Sequence, residues 1–256
     1  MAEQDFNELN ADSLWLIPER DKSGKHRNVY HGNFVPQIPS QLIRRFTQEG
    51  EVVLEFFSGS GTTLFECEKH NRKYIGFDIN PEMVSYATTA MSDNPDYPYR
   101  LHCLDLNQRE ETEKAIAEDL GHFDRKDIDL FITHPPYSDI VRFTDLPGDL
   151  SHISDISVFL ERLMTILETG MERLKKGGHF GIVMGDLYRN SEVVPLGFLT
   201  MDAVKKRFKV LLKGIIVKNI EGNRGKLGQN SIWRSRALRS DYYIFKHEYI
   251  FVFRKL

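Results

Sequence analysis

Regular patterning is absent from the start of the chain. Residues 1–33 are polar and irregular, with Pro18, Gly24 and Gly32 interrupting any period, and read as an arm laid over a domain. The segment "FVPQIPSQLIRRFTQEG" (34–50) then predicts a helix over about 40–48, with Ser40 as N-cap and Gly50 closing it. From there, apolar runs of strand length alternate with helical periods. "EVVLEFF" (51–57), "KYIGFDI" (73–79), "YRLHCLDL" (99–106), "DIDLFIT" (127–133) and "HFGIVMGD" (179–186) predict five buried strands. "TTLFECEKHN" (62–71), "PEMVSYATTAM" (81–91), "QREETEKAIAEDL" (108–120) and "ISVFLERLMTILETGMERL" (156–174) predict the helices between them. Such alternation argues for an open, mostly parallel sheet with helices on both faces, a Rossmann-like α/β fold.

The end of the chain breaks that rhythm. "VLLKGIIVKNI" (210–220) and "YYIFKHEYIFVFRK" (242–255) read as strands with no long helix between them, which predicts an antiparallel pair at the C-terminal edge of the sheet. Their linker, "EGNRGKLGQNSIWRSRALRS", is too long for a turn, and loops of that size are usually functional or disordered.

Composition narrows the class. Hydrophobic residues make up 41% and charged residues 28%, an ordinary soluble composition, and no apolar run approaches a membrane span. The polar, acidic start "MAEQDFNELNADS" is unlike a secretory signal. Cys67 and Cys103 lack any zinc spacing and are too few for a disulfide framework, so no metal is expected and a cytoplasmic location is. Length fits one domain over 1–256, with 1–33 as its arm.

Charge adds an asymmetry. From Lys205 onward fourteen Lys and Arg face three acids, which leaves residues 1–204 at −14 within a net charge of −3. A basic tail on an acidic body points to a polyanion partner met from one side. Lys218, Arg224, Lys226, Arg234 and Arg236, in and around the 219–241 loop, are the candidate contacts. Residues 138–153 are expected to share that work.

Chemistry concentrates after the strands. Ser58, Gly59, Ser60 and Gly61 form a glycine turn between the first strand, which carries Glu55 and Phe57, and its helix, which opens at Thr62. Glycines there permit a tight turn and close approach of a ligand. Leu64 occupies the place of a third dinucleotide-motif glycine, and no lysine follows as in a phosphate loop. The second strand ends at Asp78–Ile79 and the third at Asp105–Leu106. Asp78 is placed for ribose hydroxyls and Asp105 for an adenine amine. Three strand-end acids suit a cationic, phosphate-free adenosine ligand such as S-adenosylmethionine. The fourth strand ends "THPPY": His134 and the Pro135 carbonyl offer acceptors for an exocyclic amine, the Pro135–Pro136 step is stiff, and Tyr137 offers a stacking ring. An amino-bearing base would have to leave its stack to reach them.

These residues carry a family resemblance. "FFSGSGTT" resembles the donor-binding motif of the amino-methylating (cytosine-N4 / adenine-N6) DNA methyltransferases, and "THPPY" their catalytic tetrapeptide. "HGNFVPQIPSQLI" is similar to their helix closing over the methionine end of the donor, which implies roles for His31, Phe34 and Pro36. "HEYIFVFRK" is like their last strand. The motif order follows the gamma group, and the donor motif wording is closer to the beta group. Glu55-Phe56 stands in place of the usual Asp-Pro, and His134 in place of Asp, Asn or Ser. The resemblance implies a class I fold, a single catalytic domain over 1–256 with no separate target-recognition domain, S-adenosylmethionine as donor and DNA as substrate. Thr133 inclines the target toward cytosine N4, with adenine N6, RNA or protein glutamine as alternatives. It leaves room for a homodimer and for a cognate restriction endonuclease, and for no membrane partner.

Overall fold

The computed structural model describes residues 9–30, 32–220 and 230–256, except the side chains of residues 230–233 and 236. The elements in chain order are β1 (Leu14–Trp15), α1 (Gln37–Phe46), β2 (Val52–Phe56), α2 (Thr62–Lys69), β3 (Lys73–Asp78), α3 (Pro81–Ala90), β4 (Tyr99–Cys103), α4 (Arg109–His122), β5 (Ile128–Thr133), α5 (Ile156–Arg173), β6 (Leu174–Met184), β7 (Leu187–Arg189), β8 (Glu192–Val194), α6 (Leu196–Arg207), β9 (Val210–Asn219), α7 (Asn230–Arg239) and β10 (His247–Lys255). Eight strands form one sheet in the order β1-β9-β10-β6-β5-β2-β3-β4. Pairing is parallel from β4 through β6, and β10 runs antiparallel to both β6 and β9. The expected α/β architecture with a C-terminal antiparallel pair is present.

Alternate residues of the central strands serve opposite faces, as a pleat requires. Val52, Leu54 and Phe56 pack with Phe131, Phe180 and α5 on one face. Val53, Leu130 and Ile132 pack with Ile38, Leu42 and Leu64 on the other. Helix starts follow local chemistry. Asn80 accepts from the amides of Glu82 and Met83 with Pro81 at the first helical position, and Asp155 caps α5 through Ser157 and Val158.

Several sequence expectations are corrected. The first helix begins at Gln37, with Pro36 as N-cap. Pro39 fits its first turn, where no amide is needed, and Ser40 lies inside it with Oγ 3.0 Å from His70 Nε2. Part of the arm is a strand, since Leu14–Trp15 pairs with Val217–Lys218. The linker after β9 contains the helix α7, and β7–β8 and α6 lie in a stretch assigned no element from the pattern. Asn190 and Ser191 turn the β7–β8 hairpin with φ of 52° and 63°. Among the described residues, no helix is long and apolar enough to cross a membrane.

Candidate active site

Strand order reverses at β2, which has β3 on one side and β5 on the other. Ligands of open α/β sheets bind beyond the strand ends at such a switch. Because Phe56 pairs with Thr133, the glycine turn after β2 and the His-Pro-Pro-Tyr run after β5 leave the sheet side by side. Both line one cavity of about 610 Å³. Phe57 enters the turn with φ 62°, a left-handed conformation unusual for a bulky residue. Gly59 follows at 52° and Gly61 at 86°. A Cβ on Gly59 would stand 3.3 Å from Asn33 Oδ1 and from the Tyr30 ring, so the turn and the arm meet there without side-chain room.

The donor half is acidic and pinned. Asp78 Oδ2 accepts from the Gly59 amide at 2.7 Å, and Oδ1 from the Asn80 amide at 2.8 Å. Burial outweighs those bonds and pushes the carboxyl up to about 6. Glu55 accepts from the Thr63 hydroxyl and, at 2.6 Å, from Tyr74. Burial pushes it up to about 8. The arm forms the opposite wall: Arg20 Nη1 donates to the carbonyls of Asn33 and Phe34, and Asn33 Nδ2 to Ser60 Oγ at 2.6 Å. Two buried polar atoms on this lining, Ser58 Oγ and Arg20 Nε, have no hydrogen-bond partner among the described residues. Orphaned buried groups are uncommon and fit a site for a polar ligand.

The other half is a hydrogen-bonded chain. His134 Nε2 lies 3.0 Å from the Tyr137 hydroxyl, which donates to Glu248 Oε2 at 3.1 Å, and Lys218 Nζ donates to Glu248 Oε1 at 3.0 Å. Burial lowers His134 to about 4; Glu248 pulls it up and Lys218 pushes it further down. The imidazole is therefore neutral at pH 7. The Phe34 ring sits 5.0 Å from it, centroid to centroid. Gly185 leaves room for Tyr137, since a Cβ there would stand 2.8 Å from the ring.

His134, Pro135, Pro136, Tyr137, Phe34, Glu55, Phe57, Ser58, Gly59, Thr62, Asp78 and Ile79 all line the cavity. Pro36, Ser60, Gly61, Asp105 and Leu106 do not. Pro36 caps α1, Ser60 and Gly61 shape the turn behind it, and Leu106 joins the core. Asp105 Oδ1 accepts from the amide and the side chain of Asn107 at 2.9 and 2.7 Å, and Gly148 packs against the carboxyl. His31, Arg224 and Lys226, and the Arg236 side chain, lie outside the described residues. Arg234 is exposed. Lys218 corrects an expectation: it is buried in the cavity wall and paired with Glu248, out of reach of a phosphate on the surface. Pattern reading missed Glu248, Arg20, Tyr30, Asn33 and Asp149. Only Glu248 left a signal, as a lone acid entering an apolar strand.

Known proteins share both the architecture and part of the sequence. Residues 3–89 match the model of a family described as DNA methylase, the N6/N4 group. The Type II methyltransferase M.XycI of Xanthomonas campestris pv. cyanopsidis is 35% identical over 82 residues, covering 32% of this chain and 26% of that protein. M.MjaII of Methanocaldococcus jannaschii, also a Type II methyltransferase, is 30% identical over 110 residues, covering 43% and 21%. The chain thus matches about a quarter or less of the length of these curated relatives. TrmN from Thermus thermophilus superposes with a TM-score of 0.53 at 16% identity, over 87% of this chain and 49% of that one. A methyltransferase homologue from Pyrococcus horikoshii gives 0.50 at 14%, over 85% and 66%. The fold is the Rossmann-like fold of class I methyltransferases. The resemblance carried by the motifs is to the amino-methylating DNA methyltransferase family, and the matched segment, 3–89, holds the arm, α1, the glycine turn and Asp78.

Proposed function

We propose that the chain transfers a methyl group from S-adenosylmethionine to the exocyclic amine of a base in DNA. The observation that carries this reading is the single cavity in which the Gly59 turn, Asp78 and His134–Tyr137 converge. Its donor half suits the ligand chemically. The Asp78 carboxylate favours a cation, the Gly59 backbone permits close approach, and Ser58 Oγ awaits a polar partner. When bound, S-adenosylmethionine supplies an activated methyl group on a positively charged sulfur. The chain's own residues do the rest by positioning. Neutral His134 and the Pro135 carbonyl accept the two amine protons and leave the nitrogen lone pair free to point at the methyl carbon. Tyr137 offers its ring face to the base while its hydroxyl stays bonded behind. After transfer the amine sheds one proton, for which His134 is the nearest base in the run.

Cytosine N4 is the favoured target because Thr133 before the run resembles the motif wording of the cytosine-N4 enzymes, and adenine N6 is the second reading. Arg234 and the 138–153 and 219–241 segments are the proposed nucleic-acid contacts. The cavity lining includes Ile140, Val141, Phe143 and Thr144 from residues 138–153, which supports a role for that segment. A calorimetric titration with S-adenosylmethionine, followed by methyl incorporation into duplex DNA, structured RNA and protein, tests the reading. Saturable donor binding with incorporation into DNA is expected. Incorporation confined to RNA or protein would replace the substrate, and absence of donor binding would remove the reading.

A further inference from the structure

Lys218 and Glu248 are an expensive pair to bury. They face each other in register across β9 and β10, and are 5% and 7% exposed. Desolvation makes such pairs poor sources of stability, since apolar residues of similar volume often serve as well. Their placement has a different consequence, which follows from counting protons. Lys218 Nζ donates to Glu248 Oε1 at 3.0 Å, and a carboxylate in such an ion pair only accepts. The Tyr137 hydroxyl has one proton, and Glu248 Oε2 at 3.1 Å takes it. Toward His134 Nε2, at 3.0 Å, the tyrosine oxygen is then left only with its lone pairs, so Nε2 must carry the imidazole proton. A neutral imidazole has one N–H, and Nδ1 is consequently bare. Nδ1 makes no hydrogen bond among the described residues, and His134 lines the cavity.

We propose that Glu248, held by Lys218, is a positioning residue that acts through Tyr137 to fix His134 in its Nε2–H form and present Nδ1 as the acceptor. The inference rests on the functional reading above and says which nitrogen serves it. As the amine nitrogen bonds to the methyl carbon, the electrons of the breaking C–S bond stay on sulfur. The nitrogen is left with a surplus proton, which moves to the Nδ1 lone pair while the N–H electrons remain on the product amine. The resulting imidazolium is faced by Tyr137 from its own loop, by Glu248 from β10, and by Lys218 from β9, with the uncharged Phe34 ring 5.0 Å away. The Glu248 charge therefore offsets the new positive charge through the tyrosine hydroxyl. Asp, Asn or Ser at this place would need no such arrangement, because none has two nitrogens to assign.

Nitrogen-15 NMR of the imidazole in the free protein reads the tautomer directly. The wild type should show protonated Nε2 and bare Nδ1 at neutral pH. Glu248→Gln, whose amide can donate as well as accept, should shift the population toward Nδ1–H. In kinetics on duplex DNA, Tyr137→Phe and Glu248→Gln should each lower kcat by about a hundredfold, the lower end of what positioned acid–base groups contribute. Donor affinity should stay unchanged, and the double variant should lose no more than the worse single one. Because removing one charge of a buried pair can unfold a protein, Glu248→Gln with Lys218→Met provides a neutral replacement for the same measurements. A wild type in the Nδ1–H form, or losses that multiply in the double variant, would overturn the inference. A protein with the expected tautomer that methylates no nucleic acid would overturn the function instead, so the two failures are distinguishable.

Discussion

At the scale of single residues, His134 is neutral because it is buried, and that has a kinetic consequence. Its pKa, held to about 4, lies well below the ordinary value near ~6.5. Protonation would remove the acceptor and add a cation to the cavity. Single-turnover rates should therefore stay flat from neutral into mildly acidic pH and fall only as pH nears the histidine's depressed pKa. His134→Asn keeps an acceptor oxygen without titrating, so it should retain some activity and lose that acidic limb; an unchanged limb would assign it to another group. Asp78 gives the companion prediction. Asp78→Ala deletes the acceptor for the Gly59 amide and the proposed acceptor for the ribose, and should weaken donor binding by ~1.5–3 kcal/mol in a calorimetric titration. Equal affinity in both proteins would remove Asp78 from the donor site.

At the scale of elements, the turn between β2 and α2 is the least replaceable part. Gly61 has φ 86°, and a Cβ there would meet Ala87 Cβ at 3.0 Å and the Phe65 ring at 3.3 Å. Gly61→Val should cost at least the ~1–2 kcal/mol of a left-handed L-residue, visible in denaturant unfolding, and should lose donor binding with it. A variant as stable as the wild type would mean that the turn can relax. This turn was legible in the sequence because two glycines directly after a buried strand mark a backbone that must turn through left-handed conformations. The parallel strands were legible for a related reason: buried on both faces, they read as continuous apolar runs. Other parts carried no such pattern. Tyr30 and Asn33 lie in an arm without period, and their roles arise from Arg20 holding the Asn33 and Phe34 carbonyls. Lys218 looked like surface charge because its partner is 30 residues away and visible only in the β9–β10 register. The bonds that Asn107 makes to Asp105 Oδ1 were not legible either, because nothing in the strand announces them.

At the scale of the whole molecule, two groups set opposing pH trends in stability. His134 and His179 are both lowered to about 4, His134 by burial and His179 by burial and the cations around it. The unfolded chain binds their protons more readily, so their contribution is complete above ~6.5 and declines as pH falls toward 4. Glu55, raised to about 8 by burial, acts in the other direction. Its contribution is complete below ~4.5 and is lost as pH rises through 8. Thermal unfolding should show Glu55→Gln gaining on the wild type between pH ~4.5 and about 8, and a constant difference would mean that Glu55 is not raised. The basic tail divides by the same geometry. Neutralising Arg224, Lys226 and Arg234 should flatten the slope of log DNA affinity against log salt by up to ~0.9 for each phosphate that they pair with. Lys218→Met should leave that slope unchanged and lower kcat, because Lys218 is buried behind Tyr137.

The central claim is that one cavity brings a methyl donor to the amine of a DNA base. The most direct measurement is mass spectrometry of nucleosides released from duplex DNA after incubation with the protein and isotope-labelled S-adenosylmethionine. It identifies base and atom together, and His134→Ala and Gly59→Val proteins serve as controls. The account predicts labelled N4-methylcytosine, or labelled N6-methyladenine if the second reading of the target holds, with both controls near background. Label on a ring carbon, label that persists in the His134→Ala protein, or no labelled nucleoside from a wild type that binds the donor would contradict it.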